Sequence, residues 1–184
     1  MPDRPAENGR SPAQQPLDPV DAAHWAEVEE PVELLHDGQV LEAIIALRAV
    51  VKASSRNPYA FHHLGIALFE SGELEAARDA YRAALAISPS YHGARVHLSH
   101  VLRMTHDVRG AIEQAELARK QRPEDPDTWH ALGMAHAQRG DREAARRWLE
   151  AYLSSSPEFE VAAEVRAALE QLGPRPDDDA EDDG

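Results

Sequence analysis

Ten of the 184 residues are histidine, and eight of them fall between positions 62 and 136: His62, His63, His92, His97, His100, His106, His130 and His136. Imidazole titrates near neutrality, ligates metals and both donates and accepts hydrogen bonds, so this density is the first place to look for chemistry. His97 and His100 are three residues apart, a spacing that on a helix puts both rings on one face and supplies half of a metal site. The sequence sets no second half beside them. Three readings stay open for the histidines: polar-aromatic filler, ligand recognition and metal ligation. Imidazoles sharing one exposed surface are expected to titrate near their ordinary value of about 6.5. Paired carboxylates such as Glu29/Glu30, Glu73/Glu75 and Glu158/Glu160 lie near expected helix starts, where the helix dipole favours them without any catalytic role. Cysteine is absent, which excludes disulfides, thiolate metal sites and a cysteine nucleophile. There is no phosphate-cradling glycine loop, no H-E-x-x-H zinc motif and no G-x-S-x-G elbow. A non-enzymatic chain without a cofactor is the expectation.

The scaffold for these side chains is expected to be all helix. Thirty-two alanines stand against eighteen β-branched residues, a ratio that favours helix over sheet. The net charge of −14 belongs to the ends: residues 1–37 carry −7, residues 38–173 only −2, and residues 174–184 carry −5. Such a chain offers no basic footprint for nucleic acid or an anionic membrane. Arginine outnumbers lysine seventeen to two, and Glu143–Arg147 and Arg146–Glu150 are spaced for weak local ion pairs. No apolar run approaches the ~20 residues that span a bilayer. The opening segment has no apolar core of the kind a signal peptide carries, so a cytoplasmic location is expected. Residues 1–17, rich in proline, read as disordered. Asp18-Pro19 reads as a helix start. Gly173-Pro174 ends the last helix, and 174–184 reads as an acidic, solvated tail.

The middle of the chain repeats. Pro89, Pro123 and Pro157 are 34 residues apart, and Gly38, Gly72 and Gly140 keep the same period with His106 in the skipped slot. Ala43, Ala77, Ala111 and Ala145 form another series, and Leu64, Leu98 and Leu132 a fourth. One unit reads Phe61-x2-Leu64-Gly65-x2-Leu68, then Ala77-x3-Tyr81-x2-Ala84-x4-Pro89. Another reads Trp129-x2-Leu132-Gly133-x2-His136, then Ala145-x3-Leu149-x2-Tyr152-x4-Pro157. In the unit between them Arg95, Ser99 and Ala115 replace the aromatic, the glycine and the second aromatic. In the first unit Pro31 occupies the glycine slot.

This pattern resembles the tetratricopeptide repeat family, over roughly residues 24–157. The resemblance implies a solenoid of antiparallel helix pairs, A then B, across residues 18–173. It divides into a degenerate unit 24–57, units 58–91, 92–125 and 126–159, and a capping helix at 158–172. Asn57-Pro58 and Asp125-Pro126 mark A-helix starts. One pair cannot bury its own faces, so stacking must make the core. Pro31 is expected to break the first A helix into pieces near 19–29 and 31–36. The capping helix is expected to cover the last unit with Phe159, Val161, Val165 and Leu169, its polar residues outward.

In the resembling family the A helices line a concave groove, and the resemblance implies a protein-binding scaffold. The residues expected to line the groove are Tyr59, His62, Ile66, Phe69, His100, Arg103, His130 and Met134. That lining is apolar and aromatic with few acids. It suits a protein or peptide partner carrying apolar anchors and carboxylates. Some family members clamp a terminal carboxylate with Lys and Asn. Here His62 and Ile66 stand where such a clamp has Lys and Asn, and His100 replaces the next Asn, which disfavours that use. A histidine-rich metal-binding protein and a self-associating structural or chaperone-like subunit are the alternatives.

Overall fold

The structure, a computed structural model, describes residues 19–173. The expectations for segment 1–17, for an Asp18 cap and for the tail 174–184 fall outside the described residues. Those residues form ten helices and no strand: α1 (Pro19–Ala26), α2 (Glu29–His36), α3 (Val40–Ala53), α4 (Pro58–Glu70), α5 (Leu74–Ile87), α6 (His92–Met104), α7 (Val108–Gln121), α8 (Pro126–Arg139), α9 (Arg142–Ser154) and α10 (Phe159–Gln171).

Local chemistry sets the helix ends. Asn57 Oδ1 accepts from the amides of Tyr59 and Ala60, with Pro58 at the first helical position of α4. Asp125 does the same for α8, accepting from the amide and the hydroxyl of Thr128 at 2.8 and 2.7 Å, ahead of Pro126. These side chains satisfy amides that have no partner within the helix. Both caps also reach back one repeat. Asn57 Nδ2 donates to the His24 carbonyl and to Glu27, and Asp125 meets His92 Nε2 at 3.0 Å. The cap residue therefore fixes both the start of one A helix and its seat on the previous one.

The A-to-B turns need a left-handed residue. Gly38, Gly72 and Gly140 take φ of 73°, 82° and 84°, and His106, in the same phase, takes 64°. A side chain in that region costs about 1–2 kcal/mol, and glycine avoids the cost at the expense of a freer unfolded chain. His106→Gly is therefore expected to stabilise the fold by about 0.5–1 kcal/mol and raise the melting temperature by a few degrees. Thermal unfolding of the single variant checks this, and an unchanged or lowered midpoint would contradict it.

Helix A and helix B of each pair approach closely at one slot, and residue sizes there compensate. A Cβ on Gly65 would sit 2.5 Å from the Tyr81 ring, and one on Gly133 would sit 2.5 Å from Leu149 Cδ2 and 3.1 Å from the Leu149 backbone nitrogen. In the intervening unit the same two positions hold Ser99 and Ala115. The Ser99 hydroxyl is buried and donates to the Ala111 carbonyl at 2.9 Å. The larger residue on A is thus matched by the smaller on B. Gly133→Ala is expected to lose about 1–3 kcal/mol through overpacking. Urea unfolding measures it, and a neutral result would mean that α8 and α9 separate without cost.

The first A helix breaks earlier than the sequence suggests. It stops at Ala26, and Pro31 lies inside α2, which runs from Glu29 to His36. In the first turn of a helix the missing proline N–H has no intrahelical acceptor to lose. The break therefore falls before Pro31 and its preceding turn, not at the proline. Pro31 and Val32 are buried, as is Val28 at the junction.

Stacking gives the array its curvature. α6 packs against both α4 and α8, whereas α7 makes no contact of similar extent with α5 or α9. The A helices thus lie closer together and form the inner side, and the B helices form the outer side. The core runs along the interior in three clusters, the last made of Ala145, Leu149, Tyr152, Val165 and Leu172. α10 and its C-cap residue close that cluster with Val165 and Leu172, while Val161 and Leu169 are half-buried. Phe159, expected to join them, is 82% exposed. Six residues before Val165, it lies about 120° round the helix from it. Arg146 donates to the Gly173 carbonyl and ties the end of α10 to α9.

Candidate functional site

The inner face is lined by rings in two groups. In the first, Trp25 packs edge-on against Tyr59 and His63, and Tyr59 against Tyr91. His62 lies at its centre. Its Nδ1 meets the Tyr91 hydroxyl at 2.9 Å, its Nε2 meets His97 Nδ1 at 2.9 Å, and its ring lies nearly parallel to that of His97 with centroids 5.1 Å apart. The two contacts are coupled through the His62 tautomer: Nε2–H donates to His97 when Nδ1 accepts from the Tyr91 hydroxyl, and the other tautomer reverses both. In the second group His100 packs on His130 and His130 on Tyr152. His97 and His100, adjacent on one helix, thus turn to different neighbours, and the half-site expected of them is split. Among the described residues no group of three or more His, Asp or Glu is placed to hold a metal ion.

Burial decides how these imidazoles titrate. Removal from water pushes His63 and His97 down to about 4, His62 and His100 well below 6.5, and His130 down as well. Neighbouring imidazoles push His62, His63 and His100 further in the same direction. For His130, burial comes first, and Glu164 opposes it while Arg103 adds to it. These rings are neutral at pH 7, against the expectation of titration near 6.5. His92 belongs to the repeat joint, where it contacts Asp125. Burial works against the Asp125 carboxylate, but hydrogen bonds from His92 and Thr128 outweigh it and hold the group down at about 2.

The eight expected groove residues are distributed over α4, α6 and α8. Tyr59, Ile66 and Phe69 are half-buried on α4 against the first core cluster, and Met134 is half-buried on α8 against the third. His62 is 7% exposed and belongs to the wall of the groove rather than its surface. His100, Arg103 and His130 are half-buried together near the middle. Arg103 Nε and His130 Nε2 are buried without a hydrogen-bond partner. The Arg103 carbonyl accepts from Gln138 of α8 at 3.3 Å. Sequence reasoning missed Glu164. Read as part of the outward face of α10, it instead acts electrostatically on both Arg103 and His130. The available signal was its position: it stands 34 residues after His130, in the same slot of the repeat.

Comparison with known proteins agrees with this architecture. Two tetratricopeptide repeat models match, one over residues 33–92 and one over 126–169, together more than half of the chain. The chain belongs to the tetratricopeptide repeat family. Among solved structures it is similar to MamA, with 26% identity, a TM-score of 0.63, and 74% of this chain and 82% of that one covered. It is also similar to YrrB, described as a TPR protein with an unusual peptide-binding site, with 19% identity, a TM-score of 0.66 and coverage of 79% and 75%. The first TPR of Spaghetti (RPAP3), solved with the HSP90 peptide SRMEEVD, matches with 17% identity, a TM-score of 0.59 and coverage of 62% and 91%. Comparison with curated proteins found no match. The fold is that of a general protein–protein interaction module, and no helix among the described residues is long and apolar enough to cross a membrane.

Proposed function

We propose that the protein is a non-enzymatic scaffold that holds a segment of a partner protein in the groove lined by α4, α6 and α8. The observation that carries this reading is the middle of the groove, where Arg103 Nε and His130 Nε2 are buried and unpaired beside half-exposed apolar and aromatic side chains. Arg103 as a residue is half-buried, and a partner carboxylate on its guanidinium makes a charge-assisted hydrogen bond there. Tyr59, Ile66 and Phe69 on α4 offer sites for apolar anchors. Two similar structures support a peptide partner: one is described as having an unusual peptide-binding site and the other was solved with a peptide bound.

Charge reversal on the two faces tests the proposal. With the partner recovered on the full chain and titrated calorimetrically, Arg103→Glu is expected to weaken binding by about 1–3 kcal/mol, the range for a charge-assisted hydrogen bond. Arg82→Glu, on exposed α5 at the outer face, is expected to bind as the parent does. The opposite ranking would place the partner on the outer face.

A further inference from the structure

The groove is chemically ordered along its length. At the α1 and α4 end stand Trp25, Tyr59, Ile66 and Phe69, half-buried rings and alkyl groups. In the middle stand His100, Arg103 and His130, with unpaired buried nitrogens on the last two. From α8 to α10, Asp127, Glu158 and Glu164 are exposed carboxylates, and all three act on the Tyr152 hydroxyl, whose ring packs against His130. Burial first and these three charges next push that hydroxyl upward. Glu164 also acts on Arg103 and His130, which puts the acidic end next to the donor-rich middle.

We propose that the groove takes an extended segment whose apolar anchors, carboxylate and basic side chain follow in that order from α4 toward α10. The proposal rests on the groove reading above and adds the partner's charge order to it. The carboxylate pairs with the Arg103 guanidinium. The basic group answers Asp127, Glu158 and Glu164, which have the opposite sign. A segment with acid and base exchanged meets like charge at both places, so the groove rejects it. Adjacent A helices stand about 10 Å apart, and an extended chain covers that in about three residues. The carboxylate therefore follows the last anchor by about three residues, and the base follows the carboxylate by about six.

Synthetic peptides of one composition test the order on the full chain. One peptide places two leucines, then Asp, then Lys at those spacings, and the second exchanges Asp and Lys. Each is made in both chain directions, and affinity is read by fluorescence anisotropy. The expected result is that the leucine–Asp–Lys order, in one direction, binds at least fivefold tighter than either exchanged peptide. In Arg103→Glu/Glu164→Arg protein the preference reverses. Equal binding of all four peptides, abolished by Ile66→Asp, would overturn the order while leaving the groove reading in place. Binding of none would overturn both.

Discussion

Lowering the pH from 7 to 5 is expected to remove on the order of 4 kcal/mol of folding stability. His63 is buried and His97 half-buried, and both are held at about 4 in the folded protein, whereas an unfolded chain protonates its histidines near 6.5. Between these values the unfolded state binds more protons, so stability falls as the pH falls. Their contribution is whole above pH 6.5, declines through the window, and is lost by about pH 4. At about pH 5 each ring accounts for roughly 2 kcal/mol, from 1.36 kcal/mol per pKa unit. That is a large fraction of the 5–15 kcal/mol typical of a domain. His62 and His100, displaced in the same direction, steepen the loss. Urea unfolding at a series of pH values measures it. His63→Phe removes one of the titrating rings and is expected to flatten the slope. Stability that stays constant from pH 7 to 5 would show that the imidazoles are solvated in the folded protein.

Removing α10 is expected to have the second large effect. A chain ending at Pro157 exposes Leu149 and Tyr152, now 0% and 8% exposed, and loses Val165 and Leu172, at 0% and 7%. Two buried aliphatic side chains alone represent about 3–6 kcal/mol. The melting temperature of such a chain is expected to fall by about 10–20 °C. The uncovered patch, with Trp148 beside it, promotes association. A chain ending at Gly173 retains α10 and the Arg146 contact and is expected to melt as the whole chain does. Calorimetry and light scattering on both truncations decide. Equal melting would mean that α9 needs no cover.

The architecture was legible because its signals repeat. The 34-residue phase of proline, glycine, alanine and leucine gives the helix pairs, and the Asn57 and Asp125 caps act as their positions suggest. Even His106, a departure from the glycine series, adopts the left-handed turn that the series requires. Other features were legible only across repeats. Ser99 looks like a defect in the glycine slot until Ala115 is seen in the position of Tyr81 and Leu149. Pro31 marked the right helix, but the first turn tolerates proline, so the break moved ahead of it. The histidines were assigned to the right helices, but the extent of their burial was not legible. Periodicity tells which face a ring lies on. It does not tell that Tyr91 and His97, 29 and 35 residues beyond His62, close over it from the next repeat. Glu164 was missed for the same reason: an exposed acid on a terminal helix looks like solvated surface until the end of the groove is built around it.

The central claim, that the inner face is the working face, is tested most directly by photo-crosslinking in cells. A photoreactive side chain replaces Ile66 or Met134 on the inner face, or Arg82 or Arg109 on exposed outer helices. Adducts to one and the same partner from the two inner positions, with none from the outer pair, are the predicted result. Adducts from Arg82 and Arg109 alone would contradict the account.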